Sequence, residues 1–283
     1  MGELITTFPL RSELTKARER LRALGLEHEV IDPEPGYGRV GAPCLVLDAA
    51  ARRRLAEADA DDFLCSGWVE HRPRGHQVPN TPPESFAEDP FGTASIVVLA
   101  PCVADETRIR LTAHLSGDLT AVFPYLNATM IEGSYTSEPP SFAFCEQHRM
   151  VGLFARRITV AKADDVVDGW RVLEAIRCRA GRLWARRAEL APCHERRQRP
   201  PALEIFRRLP RTNCRACGEA TCFAFAGRLW RGEASPTLCA PVFQGQYGHL
   251  RDALCDICAA LGVAAAPSSG DVDPRATIAG ALR

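Results

Sequence analysis

Between Arg11 and Leu26 apolar residues recur at helical spacing, as Leu14, Ala17, Leu21 and Leu24, directly after Leu4–Pro9, which reads as a strand. Gly25 closes the helix. A second strand, His28–Ile31, enters a Pro- and Gly-rich turn over 32–41, after which Pro43–Leu47 reads as a strand and Ala49–Ala58 as a helix. The first 70 residues therefore read as a small α/β unit. Residues 72–90 hold five prolines (Pro73, Pro79, Pro82, Pro83, Pro90) and few apolar side chains, the composition of a linker, assigned to 71–94.

The pattern resumes at Ser95. Ile96–Ala100 is an apolar strand, and Ile109, Leu111, Ala113 and Leu115 alternate as a half-buried strand does. A short helix, Leu119–Asn127, is followed by Ser141–Cys145 and Met150–Val160 as a hairpin turning through Glu146–Arg149. The longest helix, Asp164–Arg187, places Val167, Trp170, Leu173, Ile176, Ala180, Leu183 and Trp184 on one face, with acids at its start and arginines at its end as the helix dipole favours. Strand, helix, strand, strand, helix predicts a ferredoxin-like α+β domain over 95–190. An Arg-rich connector, Pro192–Pro201, leads to a helical module assigned to 191–264, and a small polar tail fills 265–283. The fold class expected is α+β.

Composition narrows the possibilities. Hydrophobic residues at 46% and charged residues at 25% fit a chain that buries a core, and 35 basic against 35 acidic side chains leave no net charge to draw it to nucleic acid or an anionic membrane. No apolar run approaches the roughly 18–20 residues of a membrane span, and Met1–Leu10 has no leader pattern, so the expected location is the cytoplasm. In a reducing compartment twelve cysteines are better read as metal ligands or redox groups than as disulfides, and six of them fall between Cys214 and Cys258.

Cys214, Cys217, Cys222 and Cys239 read C-x2-C-x4-C-x16-C. Two thiolates two residues apart can reach neighbouring corners of one cluster from a single loop, while the other two return from separate elements to close the set. Gly218 supplies an unhindered turn. Thr221 is placed to cap a helix starting near Cys222, whose Phe223, Phe225, Ala226, Leu229 and Trp230 would cover the centre, and Pro236 and Pro241 stiffen the loop around Cys239. Nine arginines against three glutamates over 195–231 would balance the −2 charge of a [4Fe–4S]2+ tetrathiolate. Zinc is the alternative occupant, although zinc sites commonly use two short-spaced pairs.

The run Leu209-Pro210-Arg211-Thr212-Asn213-Cys214-Arg215-Ala216-Cys217-Gly218-Glu219-Ala220-Thr221-Cys222, continued by Phe225-Ala226, Gly232-Glu233 and Cys239, resembles the four-cysteine [4Fe–4S] domain of the Rnf complex B subunit and of the corrinoid iron–sulfur protein large subunit. The resemblance implies that all four cysteines bind one cubane. It covers about 35 residues and departs at Cys239-Ala240-Pro241, where the family has Cys-Pro. Neither the eight-cysteine ferredoxin repeat of the Rnf subunit nor length for the corrinoid protein's barrel is present, so those activities do not carry over. The first 50 residues also resemble sulfur or selenium carrier proteins in their strand, helix and Pro-rich turn, but Cys44 is followed by Leu45 where that family has Cys-Gly.

Other chemistry is weaker. Cys255 and Cys258 form a second C-x2-C on an expected helix, Leu250–Leu261, where core packing competes with a dithiol or metal role. Cys102 with His114 and Asp118 could line a pocket at strand ends, and Cys193 with His194 could approach the cluster. Cys65, Cys145 and Cys178 read as buried small hydrophobes. The expected function is a [4Fe–4S] protein that transfers one electron to a protein redox partner, or serves a partner enzyme as an accessory, without turnover chemistry of its own. The alternatives are a binding module, small-molecule ligands included, whose centre is structural, and a sulfur- or cluster-handling factor using Cys44 or the Cys255/Cys258 pair.

Overall fold

The computed structural model describes residues 2–76, 81–130, 132–196, 200–261 and 263; Pro79 of the linker, Arg197 and Arg199 of the basic stretch and the 265–283 tail lie outside these. The chain has both helices and antiparallel sheets, an α+β protein, and divides into two compact units at residues 197/198. No described helix is long and apolar enough to cross a membrane.

The first unit begins with β1 (Glu3–Thr7), α1 (Arg11–Ala23), β2 (Glu29–Ile31), β3 (Cys44–Asp48) and α2 (Ala49–Glu57), close to the elements the periodicity predicts. A two-residue strand that carries no periodic signal, β4 (Val69–Glu70), completes a four-stranded sheet in the order β2-β3-β1-β4. Asp48 caps α2, its carboxylate accepting from the N–H groups of Ala50 and Ala51 at 2.7 Å.

The second sheet has six antiparallel strands, β5 (Ala94–Cys102), β6 (Asp105–Leu115), β7 (Ser134–Ser137), β8 (Pro140–Glu146), β9 (Arg149–Phe154) and β10 (Arg157–Ala163), in the order β5-β6-β10-β9-β8-β7. It is not ferredoxin-like. The predicted strand Met150–Val160 breaks into two, because the chain reverses at Ala155–Arg156 and β9 pairs with β10. The predicted turn at Glu146–Arg149 is present, with those two residues opposite each other. Between β6 and β7 stands α3 (Phe123–Thr129), and after β10 comes α4 (Val166–Ala185). Helix α4 presents Trp170, Leu173 and Ile176 to the core, and it sits so close to β6 that a Cβ on Gly169 would lie 2.4 Å from a Leu111 methyl carbon.

The expected separation of 1–70 from 95–190 gives way to one shared cluster. Ile5, Tyr37, Val46 and Val69 belong to the same buried core as Leu111, Phe142, Val151 and Trp170. Nor are the described linker residues 81–93 a free connector. Arg177, 1% exposed, donates to Asp89 and to the Glu84 carbonyl, Arg182 pairs with Glu84, Trp184 Nε1 donates to Glu88, and Phe86 packs against Gly181. These polar contacts to α4, with Phe86 on Gly181 and Phe91 fully buried in the core, hold the segment in place.

A buried ion pair holds the start of α4. Arg149, on β9 and 3% exposed, makes two hydrogen bonds to Asp168, at 2.7 and 3.0 Å, while the Asp164 N–H and Arg171 donate to the same carboxylate. Burial pushes the Asp168 carboxyl up, but these donors reverse that and hold it below the usual carboxylate range. Asp168→Ala leaves buried Arg149 with Asp164 as its remaining carboxylate partner, so the urea transition of the first unit should lose about 3 kcal/mol, the lower end of the range for a broken buried pair. The sign of the pH dependence follows from the lowered value: the contribution is complete above the unfolded carboxylate value of about 3.9 and disappears as pH falls through the native one, so the acid limb of the wild-type stability curve should flatten in the variant.

Candidate metal centre

The second unit is built from short helices: α5 (Ala202–Arg207), α6 (Cys222–Arg231), α7 (Ala240–Phe243) and α8 (Arg251–Ala259). Ile205, Leu209, Phe225, Ala226, Leu229, Val242, Leu254 and Ile257 form its core, and Cys222 and Cys239 sit within the same cluster. Cys222 opens α6 and Cys239 directly precedes α7, helices that turn Phe225, Ala226, Leu229 and Val242 into the same core.

All four predicted cysteines line one recess of about 300 Å3, counted to its open mouth, together with Pro210, Asn213, Arg215, Glu219, Phe225 and Pro241 among others. Cys222 and Cys239 are 8% and 5% exposed, Cys217 is intermediate and Cys214 is exposed, so the set has a buried and an open side. Burial pushes the Cys239 thiol up to about 11; the Val242 N–H pulls the other way, and Cys222, Cys217 and Cys214 each push it further up, as thiols converging on one point do.

The loop that carries Cys214 and Cys217 is shaped by its backbone. Arg211, Asn213 and Arg215 have φ of 60°, 50° and 61°, and Gly218 has φ of 84°. A Cβ on Gly218 would meet nothing within 4 Å, so this glycine answers a conformational demand, not a spatial one. Asn213, a residue type that tolerates the left-handed region, accepts through Oδ1 from the Cys222 N–H at 2.9 Å, which ties the first two cysteines to the third. Thr221 caps α6 as expected, its Oγ1 accepting from the Ala224 N–H at 3.0 Å, and Gly232 ends that helix with φ of 74°. Before the fourth cysteine, Ser235 opens a 3-10 turn over Pro236–Leu238 that hands the chain to Cys239. Asn213 is the positioning residue that spacing arguments overlooked; an Asn directly before the first cysteine of the set was the signal available.

Other expectations need correction. Phe223 is 56% exposed and does not cover the recess, because α6 turns Phe225, Ala226 and Leu229 inward. Four of the nine arginines of the basic stretch meet carboxylates at short range: Arg207 and Arg208 share Glu204, Arg228 pairs with Glu219 at 2.9 Å and Arg231 with Glu233. Arg215 is the arginine that lines the recess.

Elsewhere, Cys258 is fully buried and its thiol is pushed up to about 11 by burial and then by Cys255, a packed, protonated group on α8. Cys44 is 1% exposed with its thiol pushed up, first by burial and then by Asp32, the opposite of a reactive carrier thiol. Cys102 lies opposite Asp105 at the turn of the β5–β6 hairpin, whereas His114 lies opposite Ser95 towards the other end, so these two do not meet; Asp118 accepts from the Thr120 N–H. Cys193 and Glu195 are tied to the first unit through the Asn127 side chain, which donates to both of their carbonyls. Cys145 is exposed and not buried, since inward Phe142 and Phe144 force it to the opposite face of β8; Cys65 and Cys178 are half-buried. Among the described residues His76, Asp164 and Asp168 bring ligand-type atoms within 4.8 Å of one another, but Arg149 and Arg171 already saturate Asp168. A second cavity of about 380 Å3 in the first unit is lined by Ile5, Val69, Ile109 and Trp170.

Three comparisons with known proteins bear on this geometry. A family model described as "Putative Fe-S cluster" matches residues 209–241. A subunit gamma 2 of the acetyl-CoA decarbonylase/synthase complex from Methanosarcina thermophila is 52% identical over 40 residues, which is 14% of this chain and spans 8% of that protein. No solved structure matches the chain. An iron–sulfur domain is thus supported on the segment that forms the recess.

In metal-free protein, iodoacetamide should modify Cys214 first and Cys217 next, with Cys222, Cys239 and Cys258 slow. Peptide mass spectrometry reads the order, and prior iron–sulfur loading should protect all four recess thiols while leaving Cys145 reactive.

Proposed function

We propose that Cys214, Cys217, Cys222 and Cys239 hold a [4Fe–4S] cluster and that the chain passes single electrons to a protein partner. The observation that carries the reading is the convergence of four thiols on one recess, within the segment matched by an iron–sulfur family. The donor set fits the group: four soft thiolates, with Glu219, the carboxylate beside them, engaged by Arg228.

When bound, such a cluster supplies reversible one-electron storage. The chain supplies the rest. Phe225 and the buried pair Cys222 and Cys239 close the inner side of the recess, while Cys214 and Cys217 bring the outer side to the surface, where electron exchange with another protein has the shortest path. The open side of the recess therefore reads as a contact point for a partner. Arg215 at the recess wall offers positive charge to a dianionic centre.

Protein purified without oxygen should contain about four irons and four sulfides per chain and give an EPR signal after one-electron reduction by dithionite. Replacing any one of the four cysteines by alanine should lower iron content severalfold, whereas Cys255→Ser and Cys258→Ser should leave it unchanged. Zinc in place of iron, or a bound cluster that dithionite cannot reduce, would overturn the reading.

A further inference from the structure

Beside the recess, apolar side chains face solvent. Leu203 and Phe206 stand three apart on α5 and therefore share a face, and Leu203 is 45% exposed. The Phe206 ring meets Phe223 edge-on, with centroids 5.5 Å apart at 83°, and Phe223 is 56% exposed. Over the same Phe206 ring sits the Arg211 guanidinium, 5.6 Å from the centroid. Phe206, Phe223 and Arg211 thus meet in one strip, with Leu203 on the same face of α5, and two of them neighbour the cysteines in the chain: Phe223 follows Cys222, and Arg211 stands three residues before Cys214.

Charge has a direction here. Of the arginines between 207 and 231, four are paired with glutamates, and the two without a carboxylate partner among the described residues, Arg211 and Arg215, bracket Cys214. Arg207 and Arg208 share the one Glu204 carboxylate, so the stretch from α5 through Arg211 to Arg215 carries more positive than negative charge. An aromatic and aliphatic centre beside exposed arginines has the make-up of interface hot spots, and a strip this small suits a partner that must leave after exchange. A second copy of the chain would bring like charges together, which disfavours it.

We infer that the strip of Leu203, Phe206, Phe223 and Arg211 is the docking surface for a small acidic electron-carrier protein. The inference rests on the electron-transfer reading above. One electron leaves the reduced carrier, which is oxidised, and enters the centre held by the four cysteines, which is reduced; no bond forms or breaks.

The test uses the full cluster-loaded chain in anaerobic stopped-flow, with a reduced acidic ferredoxin as the protein donor and dithionite as the small one. Phe223→Ser and Arg211→Glu should each slow reduction by ferredoxin about tenfold, the size of one hot-spot truncation, while iron and sulfide content and reduction by dithionite stay as in the unaltered chain. The unaltered chain's rate with ferredoxin should fall as salt is raised. If Phe223→Ser loses iron, Arg211→Glu decides, since Arg211 does not line the recess. Equal ferredoxin rates in variant and unaltered chains, a salt-independent rate, or a self-association of this chain that Phe223→Ser abolishes without changing the rate would overturn the docking surface. A centre that dithionite itself does not reduce would remove the electron-transfer reading, and the surface with it.

Discussion

Four sulfur donors must reach one recess from three separate points of a short segment, and residues 200–263 are organised around that requirement. Cys214 and Cys217 come from a loop whose left-handed residues keep it open, and Cys222 and Cys239 come from the first turns of α6 and α7. A loop of this kind would have little to hold it alone, because it buries almost nothing. Its anchor is the Asn213 side chain on the Cys222 N–H, a donor that the first turn of a helix leaves free in any case. One hydrogen bond thus satisfies a helix end and sets the third cysteine relative to the first two.

The burial gradient across the four cysteines follows from the same arrangement. The helix-borne pair joins the apolar core of Phe225, Leu229 and Val242, while the loop-borne pair stays outside it. The recess is thus sheltered on one side and reachable from solvent on the other. Glu204, Glu219 and Glu233 meet arginines at short range, and Arg215 stands at the recess wall.

In the first unit the constraint is a guanidinium–carboxylate junction. Arg149 and Asp168, both buried, lock the edge of β9 to the first turn of α4, and Arg177 further along the helix straps residues 84–89 across it. Neither arginine could be buried without the carboxylates that meet it. The strap, and the core shared by Ile5, Val46, Leu111 and Trp170, make the residues on both sides of the Pro-rich stretch one body.

Local pattern alone determined a good deal. The alternation of Ile109–Leu115, the one-sided face of α4, the Thr221 cap and the cysteine spacing each depend on residues a few positions apart, whose geometry a helix or strand dictates. The convergence of the four thiols was legible for the same reason, being a property of one continuous segment. What tertiary structure decided were the matters set by partners distant in sequence. Strand order in the six-stranded sheet depends on which edges pair, and a two-residue reversal at Ala155–Arg156 leaves hardly any mark on composition. The strap over α4 joins residues about 90 apart through charges that read, in sequence, as an ordinary solvated linker. Phe223 reads as core from its type, yet the turn of α6 puts it outside, because burial is a property of the face a residue lands on and not of the side chain alone.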